Sequence, residues 1–417
     1  MRSALSVVRL VSIWELLRGS FWFLPSLMAA GAVLLSFGVV HLDAAIAEDS
    51  YGNFEFLYLF GPEGARAILS AVATSMITVA GLTFSITMLT LQLASSQFGP
   101  RLLRNFMRDR GNQVVLGTFI STFVYCLLVL RTVKGVEGAS FVPHLAVAIG
   151  VVMAVAGLAV LIYFIHHTAT SIRIETLLAS LADETAATID RLFPDQLGHE
   201  KPETAGAPPD FNRTHVIPAK ASGYVQSVDN DALLRMATDE DLIVDVVARP
   251  GTFVTDRDPL LKVLATTPPD EKTLNALRST LIVGIERTPY QDLEFSIRRI
   301  VEIAQRALSP GINDPTTALY CIDRLREAFV RLAERRTPSS CRHDDEGRLR
   351  IVAEPVSFEA VTVGAVGAVG HYAGTDSDVL KALVSALDSV IAAAEGKDLA
   401  RLLELRRSLR QRLDDDK

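Results

Sequence analysis

The chain has 417 residues, 49% of them apolar, with 48 acidic against 41 basic residues and a formal charge of −7. That mixed pattern offers no basic field for nucleic acid, and three cysteines (Cys126, Cys321 and Cys341) suggest neither a disulfide framework nor a metal quartet. A mean hydropathy of +0.29, with the apolar residues crowded into the first 167 positions, instead fits an integral membrane protein carrying a large soluble part.

Four segments have the length and composition to cross a bilayer, which takes about 20 mostly apolar residues: Phe21 to Leu42, residues 67 to 97, Gln113 to Val133, and Pro143 to Phe164. Arg2, Arg9 and Arg18 precede the first, and Arg101, Arg104, Arg108 and Arg110 lie between the second and third. The excess of arginine places both regions in the cytoplasm. The connection from Asp43 to Gly64 has five acidic residues and no Lys or Arg, as expected on the far side. Four crossings return the C-terminal part to the cytoplasm, and the expected location is the bacterial inner membrane. Ala45-Ile46-Ala47 resembles a signal-peptide cleavage site, but the preceding apolar run is longer than the usual 7–15 residues or so, so a retained anchor is expected.

The second span has no ionisable residue between Arg66 and Arg101, yet polar side chains recur along it. On a helical wheel, Thr74, Thr78, Gly81, Ser85, Gln92 and Ser96 fall within roughly 40° of one line, and Thr83, Thr87 and Thr90 form an opposite stripe. One stripe is a candidate pore lining and the other a candidate helix contact. Hydroxyls that bond their own i−4 carbonyls, or that hold helices together, are the alternative. The loop after this span mixes Leu102, Leu103, Phe106 and Met107 with Arg101, Arg104, Arg108 and Arg110, the pattern of a surface helix whose arginines reach lipid headgroups or simply set topology. In the fourth span, Ala146, Gly150, Ala154 and Gly157 form a small face that admits another helix. His166 and His167 follow, adjacent on a helix and therefore divergent, so no metal site is assigned.

The expected domains are a four-span membrane domain over 1–167, a helical connector over 168–197, a Pro- and Gly-containing linker over 198–213, and a cytoplasmic α+β domain over 214–417. Strand-like runs at Ala221 to Val228, Leu242 to Arg249 and Leu260 to Leu264 are separated by turn signals, with a short helix at Asp231 to Thr238. The turns around Gly223 and Pro250-Gly251 resemble those of biotinyl and lipoyl barrel-sandwich domains, without the modifiable lysine, so a small β-barrel-like or sandwich part is expected. Amphipathic helices follow at Gln291 to Ser309 and Pro315 to Arg336, the first with Glu294–Arg298 and Glu302–Arg306 pairs at i,i+4. The seam of the second, Ala318, Ile322, Leu325, Phe329 and Leu332, calls for a partner helix or subunit. In the loop between them, Asp314 is placed to cap the second helix, while Asn313, Asp314, Thr316 and Thr317 make a candidate anion site at its start. Strands at Leu349 to Ala353 and Val356 to Val363, glycines 364, 367 and 370 suited to tight packing, and helices at Ser377 to Glu395 and Asp398 to Leu413 complete the reading. The leucines of the last helix are expected to meet a neighbouring subunit or lipid.

Two long blocks, SMITVAGLTFSITMLTLQLASSQFGPRLLRNFMRDRGNQVVLGTF and RTPYQDLEFSIRRIVEIAQRALSPGINDPTTALYCID, with the GYV and RPGTFV turns between them, resemble the bacterial membrane proteins grouped as domain-of-unknown-function family 2254. The resemblance covers nearly the whole chain. It implies several spans and a cytoplasmic domain, and it brings no catalytic residue. HExxH, GxSxG, P-loop and paired-cysteine motifs are lacking, so neither enzyme chemistry nor a cofactor is expected. The expected partners are the lipid bilayer, further copies of the chain and an ion or small solute. The leading expectation is a homo-oligomeric, channel-like assembly with the second span at a pore and the cytoplasmic domain as its gate. The alternative is a membrane-anchored regulatory or scaffold protein whose cytoplasmic domain binds a ligand or partner.

Overall fold

The structure is a computed structural model that describes residues 22–45, 61–98, 109–136, 139–171, 173–193, 215–265, 268–394 and 397–415. The N-terminal arginines, most of the acidic connection, the surface helix expected over 99–108 and the linker over 198–213 lie outside the described residues. Chain contacts divide the protein into two units, Met1–Arg173 and Ile174–Lys417.

Four helices of the first unit are long and apolar enough to span a membrane: α1 (Phe23–Ala45), α2 (Pro62–Phe98), α3 (Arg110–Leu130) and α4 (His144–Ser171). Short strands β1 (Lys134–Val136) and β2 (Ala139–Phe141) pair antiparallel between the last two. Helix α3 is the centre: 56% of its most apolar window is buried, against 22–28% for the other three. Small residues allow the close approach. A Cβ at Gly117 would stand 2.5 Å from Met28 Sδ on α1, and the expected small face of α4 is filled, with Gly150 against Leu69 and Gly157 against Met76, both on α2.

Polar contacts at the two ends fix the up-and-down order. At one end, the Leu145 and Ala146 amides at the start of α4 donate to the Asp43 carboxylate near the end of α1, at 3.1 and 2.9 Å. Arg66, near the start of α2, donates to the Val133 carbonyl just past α3, at 2.9 Å. At the other end, Asp109 precedes α3 and meets His167 near the end of α4. Each pair joins a helix start to a helix end, as four antiparallel crossings require.

The second unit is a mixed α+β region. It opens with α5 (Ile174–Leu192), so the helical pattern running past Tyr163 is realised as two helices. Ten strands are named in all, eight of them here: β3 (His215–Pro218), β4 (Gly223–Val228), β5 (Ile243–Val246), β6 (Phe253–Val254), β7 (Pro259–Leu264), β8 (Leu281–Gly284), β9 (Cys341–His343) and β10 (Leu349–Val352). They form a five-stranded sheet of order β3-β7-β5-β10-β9 and an antiparallel sheet of order β6-β4-β8. Both sheets supply one apolar core that includes Val225, Val244, Val263 and Ile351, with Leu233 from α6 (Asn230–Asp239) and Leu277 from α7 (Glu271–Arg278). No closed barrel forms among the described strands.

A helical part follows: α8 (Leu293–Ala307), α9 (Pro315–Glu334), α10 (Phe358–Tyr372), α11 (Ser377–Ala393) and α12 (Ala400–Asp415). Local chemistry starts these helices, with Asp229, Asp270, Asp292, Asp314, Ser357 and Asp376 each accepting an amide of the first turn in α6 to α11. The seam of α9 is covered by its own chain: Ala318, Ile322, Leu325, Phe329 and Leu332 are all buried, with α5, α8 and α11 packed on this helix. Likewise Leu402 and Leu409 of α12 are buried as it packs on α10 and α11. The strand expected at Val356 to Val363 is instead the start of α10. Ser357 caps it, and Phe358, Val361, Thr362, Ala365, Val366 and Val369 are buried at helical spacing, which overrides the strand preference of valine. Of its glycines only Gly370 is tightly packed, 3.1 Å from Leu409 at an added Cβ, while Gly364 and Gly367 face open space.

Removing the cap on α4 should be measurable. Asp43→Ala is expected to cost about 0.5–2 kcal/mol, seen as a lower thermal midpoint of the full-length protein in nanodiscs.

Candidate functional site

The polar stripe of α2 faces outward. Thr74, Thr78, Gly81, Ser85 and Gln92 are exposed on the first unit, whereas Thr83 and Thr87 of the opposite stripe are buried. The side chain of Ser96 lies outside the described residues. Two of the exposed hydroxyls donate to their own helix, Thr78 Oγ1 to the Thr74 carbonyl at 2.7 Å and Ser85 Oγ to the Gly81 carbonyl at 2.9 Å. Their lone pairs stay available as acceptors. On the outward side the stripe is flanked by Ile77, Leu82 and Leu89, all exposed. Of the candidate headgroup arginines, Arg110 is exposed at the start of α3, and Arg101, Arg104 and Arg108 lie outside the described residues.

At the Arg110 end, Asp109 does two jobs. Its Oδ1 accepts the Gly111 amide at 2.8 Å, and its Oδ2 lies 2.6 Å from His167 Nε2. Tyr163 stacks on the same imidazole at a centroid distance of 5.3 Å. Gly111 lets the imidazole approach closely, since a Cβ would stand 2.7 Å from His167 Nε2 and push the ring aside.

In the second unit, the RPGTFV turn and the RTPYQDLEFS segment come together. Arg287 makes a two-pronged pair with Asp292, at 2.7 and 2.8 Å, and Asp292 also accepts the Phe295 amide to start α8. Burial alone would lower the Arg287 pKa, but the Asp292 carboxylate more than offsets this and raises it. Gly251 lies against the pair with φ +92°, and an added Cβ would fall 2.4 Å from Asp292 Oδ2. Arg249 pairs with Glu294 at 2.9 Å, which replaces the expected Glu294–Arg298 contact, and Arg298 turns to Glu302 at 3.5 Å. Gln291 reads the end of β4 like an added strand, accepting from the Val228 amide at 2.8 Å and donating to its carbonyl at 3.1 Å. With its carboxylate committed to a guanidinium and an amide, Asp292 is arranged to hold structure.

Helix α5 docks beside this segment. Thr188 donates to the Pro289 carbonyl, Arg191 lies over the Tyr290 ring at 4.2 Å, and the buried Arg299 pairs with Glu184. Asp190 receives Arg331 and Arg335 from α9 and beyond, and the hydrogen bond from Arg331 leads in holding its carboxyl below the usual range. Between α5, α9 and α11 runs an open groove of roughly 840 Å³, lined by Glu175, Tyr320, Asp323, Arg324, Glu327 and Arg331 among others. In the loop before α9, Asp314 takes the Thr317 amide at 3.1 Å and the Thr317 hydroxyl at 2.6 Å, while Asn313 is exposed with φ +48° and Thr316 is exposed. A carboxylate thus sits where an anion would bind. Among the described residues no cluster of His, Cys, Asp and Glu suits a metal ion.

Sequence reasoning missed Arg249, Arg287, Gln291 and Asp292. The Asp before an apolar helical run was the available signal for the last of these.

These features define an α-helical membrane protein with four apolar helices and an appended mixed α+β unit. The chain belongs to the family described as Predicted membrane protein (DUF2254), which matches residues 18–389 and so takes in both sequence blocks. Uncharacterised proteins of Mycobacterium bovis and of two Mycobacterium tuberculosis strains are each 33% identical to it over 392 residues, covering 91% of this chain and 73% of theirs. No solved structure matches significantly.

Two outcomes are expected for the second unit. Gly251→Ala forces both a left-handed backbone and a contact with Asp292, so it should cost roughly 1–3 kcal/mol in thermal unfolding at neutral pH. The depressed pKa of Asp190 contributes stability that is present above about pH 4, the unfolded value, and lost as pH falls through the folded one. The thermal midpoint should therefore drop in that acid range, and drop less steeply in Asp190→Asn.

Proposed function

We propose that the protein is a homo-oligomeric, channel-like or transport-related assembly of the bacterial inner membrane, in which the outward face of α2 turns toward a shared axis. The observation that carries this reading is the exposure of Thr74, Thr78, Gly81, Ser85 and Gln92 on a helix whose other face is packed. Polar groups gain little from hydrocarbon, and a neighbouring copy or water would serve them better. Arranged about an axis, the lone pairs of Thr78 and Ser85 would replace part of the hydration of an ion or small solute. The acidic connection after α1 would enrich cations at the outer mouth. The arginines near the Arg110 end orient that end to the cytoplasm, and the chain leaves α4 there for the second unit, which serves as the gate.

A second reading, a membrane-anchored regulatory protein, is favoured by the charged groove along α9, which suits a ligand or partner segment. Both readings are non-enzymatic.

Flux and imaging separate them. Thr78→Leu or Ser85→Leu should abolish ion or solute flux in proteoliposomes without lowering expression. Unchanged flux in both, or a ring whose axis is sealed by apolar side chains in single-particle images, would favour the regulatory reading.

A further inference from the structure

The exposed line on α2 begins with a charge. Glu63 lies in the first turn of this helix. On the helical wheel it falls within roughly 20° of Thr74, and Ser70 within roughly 40°. Glu63, Ser70, Thr74, Thr78, Ser85 and Gln92 are all exposed, whereas Ala65, Leu69 and Ala73, on the other side of the same turns, are buried in the apolar core of the bundle. The basic residue of these turns is drawn aside. Arg66 stands roughly 80° from Thr74, and its guanidinium donates to the Val133 carbonyl at 2.9 Å. The hydroxyl protons of Thr78 and Ser85 are committed to the Thr74 and Gly81 carbonyls, so these two present lone pairs outward. Depth favours the carboxylate too. The apolar span covers Pro62–Leu93, 32 residues, which puts Glu63 roughly 20 Å from its midpoint, beyond the hydrocarbon half-thickness of about 15 Å. A carboxylate at that depth need not enter hydrocarbon.

We propose that Glu63 is the specificity-determining residue of the assembly: repeated about the shared axis, it forms a ring of carboxylates at the mouth of the α2-lined path and selects monovalent cations over anions. The inference rests on the reading of α2 as the pore-lining helix and supplies the substrate class that reading leaves open. A ring of acidic side chains concentrates cations at an entrance and excludes anions. Further along, Thr78 and Ser85 offer an anion no donor. No ionisable residue follows Arg66 on α2, so the span lacks the carboxylates that a tightly held divalent ion requires. Arg110, exposed at the opposite end, belongs to α3 and lies off this line. A glutamate in a first turn also complements the helix dipole, a role that acts on stability and not on the permeating ion.

The test is the reversal potential of the full-length protein in planar bilayers under a potassium chloride gradient, read beside its thermal midpoint in nanodiscs. The wild type should reverse close to the potassium equilibrium potential. Glu63→Gln should lower the potassium-to-chloride permeability ratio about tenfold near about 10 mM salt, and far less near about 1 M, where charge is screened beyond about 3 Å. Glu63→Lys should turn the preference toward chloride, and Glu63→Asp should keep the wild-type ratio. The proposal is overturned if current persists with an unchanged ratio in Glu63→Gln and Glu63→Lys, whatever the midpoint does, since Glu63 would then serve only its own helix. It is also overturned if the wild type prefers chloride. Absence of current from the wild type in any salt overturns the pore reading itself, and this inference with it.

Discussion

Close packing around α3 is the constraint on which the membrane unit depends. Helices in lipid gain nothing from removing apolar surface from water, so contact area and backbone proximity must supply the attraction. Here the proximity comes from Gly117, Gly150 and Gly157: an added Cβ would stand 2.5 Å from Met28 at the first, and a tight 3.2 and 3.1 Å from Leu69 and Met76 at the other two. Around these points Tyr125, Phe119 and Phe164 are buried, and Tyr125 donates to the Ala146 carbonyl at 3.0 Å. One consequence is that α2 keeps its whole outer face for something else.

The second unit is held differently, by charge. Five of its helices begin on aspartates, and its segments are joined by Arg287–Asp292, Arg249–Glu294, Arg299–Glu184 and the Asp190 pairs. Arg350 makes a comparable knot with Asp344 and Asp241 beside β10. Burial alone would raise the Asp344 pKa, but the Arg350 hydrogen bond and the Arg348 amide hold it below the ordinary range. Lys397 closes the end of α9 by donating to the Leu332 and Arg335 carbonyls, and burial lowers its pKa. The exposed pairs among these, such as Arg249–Glu294, add little individually, whereas a carboxylate that also caps a helix, as Asp292 does, fixes where the chain turns.

Much of this was legible in the residues. Four apolar runs appeared as four helices, and the caps at Asp314 and the seam of α9 were read from spacing alone. Burial showed what spacing could not: whether the seams of α9 and α12 meet their own chain or another, since periodicity reports that a face is covered and not by what. The valine run before Gly364 misled because strand preference and helical burial compete locally, and only packing against α8 and α12 decides between them. The Arg287–Asp292 pair was hidden for another reason. Its meaning comes from Gly251, some forty positions earlier, and the sequence does not announce that the two turns meet.

The carboxylate of Asp43 has a consequence for biosynthesis. It completes the first helix, yet the amides it serves lie 102 and 103 positions later, at the start of the fourth. The α1 segment that carries Asp43 thus makes this contact only once α4 is in place beside it. Insertion can proceed helix by helix, but the contact between α1 and α4 forms only when both are present, so it marks the closing of the bundle.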